Sequence, residues 1–116
     1  MSKRSDRELL SDMLESIRRV EMYIEQVSYQ EFVNDLKTQD AVIRALEILG
    51  EASKGISPKI KERFPDVPWR FMAGMRDKLI HEYFGVNLDI VWEVATDSLP
   101  EVFLQIEYIL SNEVGL

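Results

Sequence analysis

The stretch Met72-Ala-Gly-Met-Arg-Asp-Lys-Leu-Ile-His-Glu-Tyr-Phe-Gly85 contains the only histidine of the chain, His81, with Arg76 five residues before it and Tyr83 two after. A general acid/base, a fixed cation and a phenol therefore fall within eight residues. In a helix each residue turns by about 100°, so positions four apart stack on one face. Asp77 and His81 have that spacing, which lets the carboxylate reach the imidazole, orient it and favour its protonated form. Arg76, Leu79, Ile80 and Tyr83 follow an i, i+3, i+4, i+7 pattern, so Arg76 and Tyr83 share a face. Arg76 and His81 fall about 140° apart on an ideal helix. To act on one phosphate they must meet in a groove that wraps the helix, or the last turn must distort; Gly85 stands where such a helix would end. Spacing alone is met at least as well by a capping histidine and an ordinary Arg76–Asp77 surface pair, because short motifs match by chance.

Working toward the N-terminus, Pro68 opens this helix, Trp69 is its core anchor, and the pattern runs to about Glu82. Ser57-Pro58, an N-cap followed by proline at the first helical position, starts a short helix that Phe64-Pro65-Asp-Val-Pro68 breaks. Before it, Leu36, Ala41, Val42, Ala45, Leu46, Ile48, Leu49 and Ala52 form a long helical pattern, with Asn34 as a cap and an end near Gly55. Glycine inside a helix costs about 1 kcal/mol relative to alanine, so Gly50 predicts a close approach of another helix. Glu51 would lie near that crossing and can pair with an arginine there. Ser28-Tyr-Gln-Glu31 is a capping box leading into a turn or short helix through Phe32 and Val33. Ser5-Asp-Arg-Glu8 is another, opening an amphipathic helix from Asp6 to about Val27. Toward the C-terminus, Asn87 caps a region containing Leu88, Val91, Trp92, Val94 and Ala95. Pro100 interrupts it, and the capping box Ser98-Leu-Pro-Glu101 predicts a kink or restart before Val102, Phe103, Ile106, Ile109 and Leu110. No alternating strand pattern, internal repeat or flexible linker is present. These patterns predict an all-α chain: an antiparallel four-helix-type bundle with one or two additional short helices, forming one domain over residues 1–116.

Composition narrows the function. The chain has 116 residues, 46% hydrophobic and 30% charged, which suits one globular domain with a real core. It has no cysteine, which excludes disulfides, thiolate catalysis and thiolate metal sites. No apolar run approaches the roughly 18 residues of a membrane span, and the polar N-terminus has no signal-peptide core; both predict a cytoplasmic protein with no membrane partner. The net charge of −7 argues against nucleic acid, but the charge is uneven. Residues 51–81 carry 7 basic and 4 acidic groups, whereas residues 82–116 carry 7 acidic groups and no lysine or arginine. This distribution allows a local basic groove on an acidic body.

Arg76-Asp-Lys-Leu-Ile-His81-Glu-Tyr83 matches the Arg-x4-His-x-Tyr motif of the HEPN superfamily, and Asp77 fits the polar residue that follows the arginine there. The chain resembles the HepT-like toxin branch over nearly its whole length. Gln39-Asp-Ala-Val-Ile-Arg44, Leu46-Glu-Ile-Leu-Gly-Glu-Ala52, Val67-Pro-Trp69, Gly74-Met-Arg76 and Leu88-Asp-Ile-Val-Trp92 support the resemblance in the same order and spacing. The resemblance implies a bundle that dimerises through the motif helix, with the motifs of both protomers facing one cleft. It implies a metal-independent ribonuclease toxin of a type VII HEPN/minimal nucleotidyltransferase pair, acting on RNA without a cofactor. It also implies an antitoxin partner that neutralises the toxin by attaching AMP to the motif tyrosine, here Tyr83. Arg76 and His81 take the catalytic roles, Asp77 the supporting one, and Glu51 and Lys78 are placed along the cleft.

The residues themselves are compatible with that chemistry. Metal-free RNA cleavage uses the adjacent 2′-hydroxyl as nucleophile, and needs a base for its proton, an acid for the leaving 5′-oxygen and a cation for the phosphorane charge. Imidazole suits both proton roles, since its unperturbed pKa is about 6.5. With one histidine per chain, two imidazoles can share a site only in a dimer, where two Arg76 guanidinium groups would grip the phosphate. Other readings stay open. His81 with Asp77 offers two metal ligands, short of the three or four that zinc sites use. The bundle can instead be a non-catalytic nucleotide- or substrate-binding subunit of a two-chain nucleotidyltransferase, or a structural dimerisation module.

Overall fold

The structure is a computed structural model that describes residues 4–82 and 84–113. Its elements are α1 (Asp6–Ile24), α2 (Tyr29–Val33), α3 (Leu36–Gly55), α4 (Pro58–Arg63), α5 (Trp69–His81), α6 (Leu88–Glu93), a π-helical turn (Val94–Ser98) and α7 (Leu99–Asn112). Among the described residues there is no strand. The four long helices α1, α3, α5 and α7 form the predicted bundle: α1 packs on α3, α3 on α5, and α7 on α1. Leu10, Met13, Ile17 and Val20 of α1 join Val42, Leu46 and Leu49 of α3 and Ile106 and Ile109 of α7 in one core. Each such side chain, fully removed from water, contributes about 1.5–3 kcal/mol.

The short helices are pinned by side chains distant in sequence. Phe32 of α2 lies 5.1 Å, ring centre to ring centre, from Trp92 of α6. Tyr29 meets Trp92 edge-on and donates a hydrogen bond to Asp89. Ser57, the predicted N-cap of α4, also donates from Oγ to Asp6 Oδ2 at 2.6 Å and from its backbone N–H to Asp6 Oδ1 at 2.9 Å. The start of α4 is thereby tied to the first residue of α1. Both capping boxes, at Ser5 and Ser28, have their reciprocal hydrogen bonds.

Three local expectations differ from the structure. α1 stops at Ile24 rather than Val27, because Gln26 adopts a left-handed backbone (φ 60°) that no helix can continue through. The cap of α3 is Asp35, whose carboxylate accepts from Thr38 N at 3.1 Å and Thr38 Oγ1 at 2.6 Å. Asn34 instead closes α2, donating from Nδ2 to Gln30 O. Ser98 makes no cap and the chain neither breaks nor restarts at Pro100. Proline has no N–H and its ring crowds the carbonyl four residues back, here that of Thr96. The chain absorbs this by widening to a π turn, in which the Leu99 N–H bonds Val94 O, and α6 runs on into α7.

Candidate active site

Gly50 of α3 and Arg76 of α5 meet where the two helices cross. A Cβ at position 50 would stand 2.3 Å from Arg76 Cβ and 2.6 Å from the Met72 carbonyl oxygen, so only glycine permits this approach. Met72 and Leu79 anchor α5 in the core, and Ser53 of α3, fully buried, donates to the Trp69 carbonyl at 3.2 Å. The crossing thus fixes both the height and the rotation of Arg76.

Two carboxylates flank its guanidinium. Glu51 Oε2 lies 2.8 Å from Arg76 Nε, the pairing that the position of Gly50 suggested. The contact is an ion pair by distance but not an aligned hydrogen bond: the buried Nε–H has no acceptor in line with it. On the other side, Arg76 Nη1 donates to Asp77 Oδ1 at 2.9 Å. Asp77 Oδ1 also accepts from Lys54 Nζ at 3.3 Å. The Arg76 guanidinium first, and Lys54 second, hold the Asp77 carboxyl below the usual carboxylate range. The result is an alternating cluster, Glu51–Arg76–Asp77–Lys54, spanning α3 and α5.

Asp77 is therefore turned toward Arg76 and Lys54, and no hydrogen bond joins it to His81 among the described residues. Two cations, Arg76 beside it and Lys54 from α3, hold the carboxylate in that orientation. His81 is the exposed last residue of α5. The helix stays regular up to it, with the Glu82 N–H bonded to Lys78 O, so the last turn does not swing His81 toward Arg76. Within the chain the two motif residues stay on separate faces. Lys78 lies on the far side of α5, in an apolar groove of about 370 Å³ between α5 and α6, because two residues of helix rotate it away from Arg76. Tyr83 lies outside the described residues. Among the described residues no group of three or more His, Asp or Glu side chains is arranged to hold a metal ion, and no helix is long and apolar enough to cross a membrane.

Two charged grooves adjoin this cluster, and Arg76 itself lines only the first. One, of about 430 Å³, runs between α1, α3 and α5 and includes Arg4, Arg44, Asp12, Glu47 and Glu51. The other, of about 660 Å³, lies on the Lys54 side. The sequence pointed to Arg76, His81, Asp77, Tyr83, Glu51 and Lys78; the structure adds Lys54 to the Arg76–Asp77 cluster, and its place three residues after Glu51, in the only net-positive segment, was the available signal.

Comparison with known proteins places these features in context. The profile of a family described as "Ribonuclease HepT-like" matches residues 13–109. The chain is 47% identical over 100 residues to a protein of Thermococcus cleftensis named "Probable ribonuclease HepT", covering 86% of this chain and 91% of the relative. It is 40% identical over 115 residues to MJ0127 of Methanocaldococcus jannaschii, named as a candidate RNase, covering 99% and 95%. A candidate RNase of Caldanaerobacter subterraneus, TTE0752, is 45% identical over 100 residues, covering 84% and 89%. No solved structure matches the chain.

Proposed function

The chain belongs to the HepT-like ribonuclease family of the HEPN superfamily, and from that premise we propose that it is a metal-independent RNA endonuclease whose active site forms between two protomers. The observation that carries this reading is the Arg76 guanidinium, held at a glycine-only helix crossing between Glu51 and Asp77, with His81 exposed on the same helix but turned to another face. A single chain presents phosphate-binding and proton-transfer groups in divergent directions. A two-fold axis beside the end of α5 brings one copy of each toward the other.

In the proposed reaction one His81 removes the proton of the 2′-hydroxyl, whose oxygen attacks the neighbouring phosphorus. The bond from phosphorus to the 5′-oxygen breaks, and the second His81 gives that oxygen a proton. The products are a 2′,3′-cyclic phosphate and a 5′-hydroxyl end. The two Arg76 groups stabilise the added negative charge at the phosphorane. Asp77 and Glu51 orient the guanidinium rather than the imidazole. The protein acts as the toxin of a toxin–antitoxin pair, and AMP placed on Tyr83 by a nucleotidyltransferase antitoxin adds negative charge and bulk to the Arg-x4-His-x-Tyr motif, which opposes binding of an RNA phosphate.

The test is cleavage of a defined RNA in the presence of EDTA, beside the same strand carrying a single 2′-deoxy residue at the scissile position. The RNA should be cut and the deoxy strand left intact; equal cutting of both strands overturns the mechanism. Growth arrest on expression, lost in His81→Ala, separates a nuclease from a non-catalytic nucleotide-binding subunit.

A further inference from the structure

We propose that the groove on the Lys54 side of Arg76 is the track for the RNA strand flanking the scissile phosphate, with Lys54, Lys61 and Arg70 as phosphate contacts and Phe71 as a base-stacking platform. The proposal rests on the ribonuclease reading above and adds a direction to it.

The groove has a volume of about 660 Å³, and its lining contains three cations and no carboxylate. In a chain of net charge −7, a concave surface whose charged side chains are all basic is a local exception; Lys54 is paired with Asp77, whereas Lys61 and Arg70 are in no ion pair among the described residues. It is continuous with the Arg76 cluster through Lys54, which lines the groove and also bonds Asp77, the direct partner of Arg76. Lys61 Nζ reaches the Lys54 carbonyl at 3.5 Å, setting the second cation beside the first. Arg70, in the first turn of α5, lies six residues before Arg76, about 9 Å along the helix axis. The Pro65, Pro68 and Trp69 walls of the groove are conformationally stiff, and Trp69 is fixed by its indole N–H to Phe64 O at 3.0 Å. Phe71 stands on the rim with 49% of its surface exposed. A large exposed ring beside cations has the composition of a single-strand binding surface, in which bases stack and the backbone follows positive charge.

The groove on the other side of Arg76 lacks these properties. Its Arg4 is held by both oxygens of Asp12 at 2.9 Å each, its Arg44 faces Glu47, and Glu51 closes the end next to Arg76. A phosphate on Arg76 lies at the end of this groove, and a backbone running further along it meets compensated Arg4 and Arg44 and three carboxylates. Charge complementarity therefore sends the strand along the Lys54 side.

The experiment measures binding of a 2′-O-methyl oligoribonucleotide, which has no free 2′-hydroxyl nucleophile, to the full-length protein across a salt series. Each phosphate contact removed from a single strand lowers the slope of log K against log salt by about 0.7. Lys61→Ala and Arg70→Ala should each produce a loss of that size, and Lys61→Gln and Arg70→Gln should repeat it. Arg19→Ala, a cation on the outer face of α1, should leave the slope unchanged. Phe71→Ala should weaken binding on the order of tenfold without altering the slope. Wild-type slopes in the Lys61 and Arg70 variants overturn the proposal. So does a loss, in these variants, of binding to an acidic protein partner alone while RNA binding is kept. Wild-type protein that binds with the expected slopes but cuts no RNA refutes the nuclease reading and leaves the groove assignment standing.

Discussion

Gly50 is the surface on which Arg76 rests. The missing side chain of one leaves room for the first two side-chain carbons of the other, which lie within 2.3 and 3.2 Å of where a Cβ would stand. A residue with no chemistry of its own thus sets where the motif cation sits, and the carboxylates around it follow from that placement.

Gly50→Ala should destabilise the bundle by about 1–3 kcal/mol, because its Cβ meets the Met72 carbonyl at 2.6 Å and α5 must shift as a unit. Gly74→Ala is the converse case. Nothing lies within 4 Å of a Cβ there, and the helix interior gains about 0.5–1 kcal/mol. Urea melts of the two variants should move in opposite directions; equal shifts would mean that the crossing is not as close as described.

Arg76→Ala and His81→Ala should each lower RNA cleavage by at least about 100-fold. Their stability costs should differ. His81 is exposed, so its truncation stays within about 0.5 kcal/mol. Arg76 buries its stem at the crossing and separates two carboxylates, so its loss should cost on the order of 1 kcal/mol. Arg76→Lys should fold yet remain poorly active, since one ammonium cannot span Glu51 and Asp77 as the guanidinium fork does. Cleavage assays paired with thermal melts on the same samples test all three.

Glu51→Gln removes one of the two negative charges beside the guanidinium while keeping the shape. The pair is solvent-accessible, with the glutamate side chain 61% exposed, so stability should change by less than about 1 kcal/mol. The freed positive charge should lower KM for RNA by up to about fivefold. The less constrained guanidinium should lower kcat. A change in kcat and KM in the same favourable direction would argue against a positioning role.

The Asp77 carboxyl should titrate below the ordinary aspartate range in the native protein, because Arg76 and Lys54 both favour its ionised form. Its pKa is depressed on folding, so its contribution to stability is present above the unfolded value of about 3.9 and is lost as pH falls through the lower native value. The acid limb of a cleavage–pH profile at higher pH therefore belongs to another group. Carboxyl carbon NMR titration measures this directly, and Arg76→Ala should raise the Asp77 value. An Asp77 that titrates at the ordinary value in the unmutated protein would contradict the geometry.

The helices were legible because their signals are local. Ser5, Ser28, Ser57 and Asn87 cap where their types and spacing require, and Gly50 marked a crossing from within one helix pattern. Pro100 was visible as an interruption, but whether a proline breaks, kinks or widens a helix depends on what holds both flanks. Here Val94, Ala95 and Leu99 are all buried, so the chain keeps its direction and takes the π turn. Asp77 was misdirected toward His81 for a similar reason: helical spacing lists its neighbours on α5 and says nothing of Lys54 arriving from α3.

The one-dimensional record determined the all-helical class, the helix boundaries to within a few residues, and which residue types could bind and cleave a phosphodiester. Tertiary packing alone decided that the last turn of α5 stays regular, that Lys54 reaches Asp77 from α3, and that Lys54, Lys61 and Arg70 line one groove. Caps and periodicity act between residues a few positions apart, whereas an electrostatic site is set by distances through space between helices that only the assembled core brings together.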